Sequence, residues 1–106
     1  MILGVISSQN IKVIQKAVMP SITFSGSVVG QRTVNYKNED TVSGTLFYRR
    51  VGDVWENYDI NAGSTLSIIY NGTPLARFDV ECYFSTLGKA QSDTAASYGF
   101  YYGDLT

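Results

Sequence analysis

From Ser21 onward, short runs rich in Thr, Val, Ile, Tyr and Phe alternate with clusters of Gly, Asn and Asp. This is the pattern of many short strands separated by turns. It predicts strands near 21–29, 31–36, 41–50, 54–60, 64–70, 74–84 and 96–102. The two prolines, Pro20 and Pro74, sit at run boundaries, where a missing N–H costs the ladder least. Connections such as "KNED" and "VGD" are too short for crossover helices, so sequential strands are expected to pair antiparallel as hairpins. The expected fold class is all-β, an antiparallel β-sandwich or jelly-roll-like small barrel of about 7–8 strands.

The first twenty residues carry two patterns at once. In "SQNIKVIQKAVMP", Ile11, Ile14, Gln15 and Val18 recur at helical spacing after an Asn10 cap, which predicts one short helix near residues 10–18. The same letters place Ile11, Val13 and Ala17 on one face of a strand, and an eight-residue apolar run does not separate the two by periodicity. "MILGVIS" reads as an N-terminal strand, or as an arm that needs a partner to cover it. Without an internal repeat or composition break, residues 1–106 form a single β domain, with 1–20 as its arm or as a strand plus short helix.

Turn chemistry sets the expected registers. A two-residue turn at Asn71-Gly72 would put the apolar row Ala76, Phe78, Val80, Cys82 and Phe84 on the opposite face from Leu66 and Ile68. A three-residue loop with Gly72 left-handed in a G1 bulge realigns them, setting Ile68 over Pro74, Leu66 over Ala76 and Ser64 over Phe78. In "LFYRRVGDVWENY", a Gly52-Asp53 turn pairs Val51 with Val54, Arg50 with Trp55 and Arg49 with Glu56.

Composition narrows function by exclusion. With 106 residues, a net charge of −1 and 44% hydrophobic content, one core suffices. No window approaches the ~18 uninterrupted apolar residues of a membrane span, and "MILGVISSQN" lacks a signal peptide's basic start and long apolar middle, so a cytoplasmic protein at synthesis is expected. The chain has one cysteine and no histidine. That removes Ser-His and Cys-His catalysis, and Cys82, in a row with Val80 and Phe84, reads as a small buried hydrophobe. Eight basic residues scattered among nine acidic ones offer no patch for a nucleic acid.

Candidate chemistry is thin. Asp53, Glu56 and Asp59 do not converge, because on a strand Glu56 faces away from the other two. Asp79 and Glu81 read as the polar face of a half-buried strand. Asn57, Asp59 and Asn61 alternate like ligands of a calcium loop, but the glycine and terminal acid of such a loop are missing. "NGT" at 71–73 matches the glycosylation acceptor pattern, though the turn accounts for it. No cofactor, metal or catalytic residue is expected.

Aromatic residues are the remaining signal: eight Tyr, five Phe and Trp55. The candidate interaction surface is Trp55, Tyr58, Tyr98, Tyr101 and Tyr102. The leading expectation is a non-enzymatic structural subunit, acting by symmetric self-association in a virus or bacteriophage particle such as a capsid, tail or fibre, with the virion as its destination. Its partners would be itself and other proteins of the assembly. The alternative is a carbohydrate-binding or receptor-recognition module that stacks a glycan on exposed rings.

Overall fold

The computed structural model describes residues 15–25, 31–71, 77–91 and 96–101, with residues 77, 78 and 96–101 described by backbone path alone. The strands are β1 (Ser21–Ser25), β2 (Gln31–Lys37), β3 (Gly44–Arg50), β4 (Glu56–Ile60), β5 (Thr65–Asn71), β6 (Arg77–Ser85) and β7 (Ala96–Tyr101). They form two antiparallel sheets, one of order β1-β2-β5 and one of order β4-β3-β6-β7. The fold is all-β, with no helix among the described residues.

Period-two alternation explains how the sheets meet. Val34 and Tyr36 of β2 point inward, as do Leu46 of β3 and Val80, Cys82 and Phe84 of β6, all fully buried. With Ala17, Ile22 and Ile60 they form one core drawn from both sheets, and Phe24, Tyr48, Leu66, Ile68 and Tyr70 lean on it. The rings of Tyr36 and Tyr48 bridge the sheets with centroids 5.2 Å apart. Each large side chain so buried contributes about 1.5–3 kcal/mol.

Three expectations are corrected. First, the short helix expected near 10–18 is absent from its described part. Gln15–Val18 run extended, Lys16 forms a parallel bridge with Ala90, and Ala17 N–H donates to Ala90 C=O at 2.8 Å while Ala90 N–H donates to Gln15 C=O at 3.0 Å. The loop before β7 thus takes the bonds a helix would make internally. Ala17 is buried and Val18 exposed, the alternation of a strand; residues 10–14 lie outside the described residues.

Second, "KNED" and the Asn71-Gly72 segment close no hairpins. β2 leads into β3 of the other sheet, and β5 pairs with β2 rather than β6, setting Leu66 opposite Tyr36 and Ile68 opposite Val34. The face mismatch between β5 and β6 is resolved by placing the strands in different sheets, not by shifting their register with a bulge. Residues 72–76 lie outside the described residues. Third, the β3–β4 hairpin is offset by one residue: Tyr48 pairs with Glu56, Asp53 N–H closes a turn on Arg50 C=O, and Gly52 adopts φ 99°. Arg49, not Arg50, therefore meets Trp55.

Two buried polar residues in "KNED" organise the crossings. Asn38 donates its amide to Val42 C=O at 2.9 Å and Asn61 C=O at 3.2 Å, and its side-chain oxygen accepts Asp40 N–H. Its backbone bonds to Ser64 and Gly63, so the β2–β3 crossing is tied to the β4–β5 crossing. The Asp40 carboxylate accepts from Val18 N–H at 3.0 Å, Thr41 N–H at 2.7 Å and Lys89 Nζ at 2.8 Å, joining the entry segment and the loop before β7. The Lys89 ammonium, then the backbone donors, hold its carboxyl down from 3.8 to about 2.

Because the folded-state value lies below the unfolded one, this stabilisation is present above pH 3.8 and lost as pH falls towards 2. Asp40→Asn should cost about 1–3 kcal/mol near neutrality and remove that part of the acid dependence, read from urea midpoints across pH. A second substitution probes the sheet itself. A Cβ on Gly44 would sit 2.5 Å from both the Phe84 ring and Ser85 C=O, so Gly44→Ala should destabilise by about 1–3 kcal/mol through overpacking.

Candidate interaction surface

Residues paired across neighbouring strands share a face, so the registers assign the outward rows. On the three-stranded sheet that row is mostly Ser, Thr and Asn, with Ile69 of β5 as an exposed apolar member. Asn35 links Ser25 and Ser67 through its amide at 3.1 and 2.7 Å. These three side chains satisfy one another.

The four-stranded sheet presents different chemistry. Phe47 of β3 lies opposite Tyr83 of β6 and Asn57 of β4. The Phe47 and Tyr83 rings stack at 4.6 Å and 10°, and Trp55 meets Tyr83 edge-on at 5.2 Å and 69°. Arg49 lies over the Trp55 ring at 4.4 Å and bonds Glu81 through Nε and Nη2. Its Nη1 also reaches Asp53 C=O at 3.2 Å. The guanidinium is thus fixed by a carboxylate, a carbonyl and an indole together, which orders Trp55 in the absence of a covering strand. Asn57 and Asp59 stand exposed beside the cluster, with Thr45 Oγ1 donating to Asp59 at 3.2 Å.

The five residues singled out in the sequence are distributed unevenly. Trp55 is 37% exposed and belongs to this cluster. Tyr58 is 48% exposed but sits in the inward row opposite Leu46, beyond the cover of the three-stranded sheet. In β7, Tyr98 pairs with core Val80 and Tyr101 with Arg77, positions given by backbone register alone; Tyr102 lies outside the described residues. Phe47, Tyr83, Arg49 and Glu81 were not among the candidates. A signal was present: "TLFYRR" carries bulky residues on both strand faces, so one face of β3 had to meet something other than the core.

Among the described residues, concavities flank the sheet. A cleft of about 540 Å³ opens between β5 and the β3–β4 hairpin, lined by Tyr48, Arg50, Val54, Glu56, Ile68 and Tyr70 among others. A shallower one of about 320 Å³ lies at Thr45, Asp59 and Asn61. Tyr36 and Tyr70 share a hydroxyl–hydroxyl bond at 2.9 Å at the inner end of the first, and burial raises the pKa of both phenols, as it does that of Tyr48.

These neutral phenols are poor bases near neutrality, and the nearby carboxylates point apart, Glu56 in the inward row and Asp59 in the outward one. Among the described residues no three His, Cys, Asp or Glu side chains converge on a cation position. No helix among the described residues is long and apolar enough to cross a membrane. No protein-family model matches the chain, and no curated protein matches its sequence.

Cys82 is fully buried, and desolvation pushes its thiol up to about 12. It should therefore resist a thiol-specific disulfide reagent in the folded protein at pH 8 and react fully in denaturant; rapid native-state labelling would contradict this burial.

Proposed function

We propose that the chain is a non-catalytic β-sandwich subunit that self-associates within a larger assembly. Two antiparallel sheets sharing one core support the sandwich. The strand order supports it further: β1-β2-β5 and β3-β6-β7 follow the immunoglobulin-type order, with β4 moved to the edge of the second sheet. Jelly rolls are instead built from two Greek keys over eight strands.

The observation that carries the assembly reading is the outward cluster of Phe47, Trp55, Tyr83 and Arg49. Trp, Tyr and Arg dominate the energetics of protein interfaces, where a rigid aromatic patch gives area at little entropic cost. An isologous contact through this sheet face would bury the patch against its own copy. Placement in a capsid, tail or fibre rests on fold-level association.

A second reading is favoured by one feature. Trp55, Asn57 and Asp59 stand together exposed, an aromatic surface with hydrogen-bonding neighbours of the sort that receives a sugar ring. Light scattering across concentrations tests the first reading. The full-length protein should form a defined oligomer, and Trp55→Ala should weaken its association at least tenfold while keeping the circular dichroism spectrum. A protein that is monomeric throughout rejects self-association. Glycan-array binding that Trp55→Ala abolishes would establish the second reading instead.

A further inference from the structure

The three-stranded sheet is one strand narrower than the sheet it faces, and the difference falls at β5. Among the described residues no strand pairs with the outer edge of β5, and across from it β4 leaves Glu56 and Tyr58 exposed. Between the two edges lies the cleft of about 540 Å³. Its walls combine apolar and aromatic groups (Ile68, Tyr70, Tyr48 and Val54) with two arginines committed elsewhere and the exposed Glu56 carboxylate. Arg50 bonds Asn71 C=O at 2.8 Å and pairs with Asp53 at 3.3 Å, and Arg49 pairs with Glu81. A strand edge that no described strand covers, above such a cleft, is a template for an added strand.

We infer that this site accepts the segment Met1–Ser7 of a second copy, which extends the three-stranded sheet beside β5. The inference rests on the self-association proposed above and names one contact through which it occurs. Three features of the chain select this occupant. "MILGVIS" has bulky apolar residues in both alternating rows, Met1, Leu3 and Val5 against Ile2 and Ile6, so one row is available for the cleft and the other for the exposed Ile69. β5 offers an apolar neighbour on each face: Leu66, Ile68 and Tyr70 inward, and Ile69, which is 63% exposed, outward. The segment carries no charged side chain, the first being Lys12, which matches a cleft whose arginines are already paired.

Geometry favours a second copy over the segment's own domain. The described chain begins at Gln15, with Lys16 held to Ala90 ahead of β7, and passes by way of Pro20 into β1. β1 and β7 are the sheet edges opposite β5 and β4. The entry also lies at the end where β3 begins, whereas the cleft is lined by Arg50 to Val54, beyond where β3 ends. The fourteen residues before Gln15, extended, span at most ~50 Å. That length reaches a neighbouring domain directly, but would have to wrap around its own.

The test uses full-length chains. Leu3→Glu and Ile69→Glu should each weaken association at least tenfold with an unchanged circular dichroism spectrum. Chains carrying Leu3→Cys mixed with chains carrying Ile69→Cys should yield a disulfide between copies, the buried Cys82 remaining a silent background. If both Glu variants associate like the parent protein while Trp55→Ala still dissociates it, strand donation is wrong and self-association stands. If the doubly substituted chain closes its disulfide only within itself, the cleft is filled in cis and the inference is overturned. A monomeric parent protein overturns both this contact and the self-association reading.

Discussion

A buried carboxylate and a buried amide at one end of the two sheets decide how the strands connect. Asp40 and Asn38 sit in the segment that carries the chain from β2 to β3, where a plain turn would have folded it back into the same sheet. Burying such groups is costly unless every polar atom finds a partner. Here the partners come from the entry segment, the β4–β5 crossing and the loop before β7. The polar corner is satisfied only when all four pieces of chain are in place, so it links the correct crossing of strands to the burial of charge. The apolar core supplies the larger free energy but is less selective: its inward rows of Val, Leu, Phe and Tyr could pack in more than one order.

This division of labour explains which features were legible in the sequence. The strands fall close to where alternation places them, because side-chain period is a local property. The row Val80, Cys82 and Phe84 is buried as its spacing implies. Partner choice is not local. Asn71-Gly72 has the chemistry of a tight hairpin turn, yet β5 finds its partner in β2, thirty-four residues back at the Val34–Ile68 pair. Nothing within "IIYNGTP" encodes that. The mismatch of apolar faces across the turn was the available clue, and it admitted two solutions, a register shift or a change of sheet. Likewise the entry segment satisfied helix and strand patterns equally until Ala90 supplied backbone bonds.

The candidate surface was half legible for the same reason. Trp55 stood out as the chain's one tryptophan, but the residues that make it a rigid surface come from other strands. Arg49 lies across the hairpin, and Glu81 and Tyr83 lie on β6, at a sequence distance no turn argument bridges. A one-residue offset at Gly52 puts Arg49, in place of Arg50, beside the indole. The result is preorganised: the guanidinium, the indole and the stacked rings already hold one another, which lowers the ordering cost of binding. By contrast, the Ser25–Asn35–Ser67 ladder on the opposite outer face spends its hydrogen-bonding capacity on itself.

The way the chain enters the fold has a mechanical side. At Lys16 and Ala90 two backbone hydrogen bonds run between parallel segments, and one residue later the Val18 N–H is gripped by Asp40. Tension directed along these segments would load the three bonds together in shear rather than peel them one by one. The third of them ends on a carboxylate that is itself tethered to Lys89 in the loop before β7. A pull on the chain's beginning would therefore be shared by both sheets before it reached β1, and the entry point would act as a strain relief for the domain behind it.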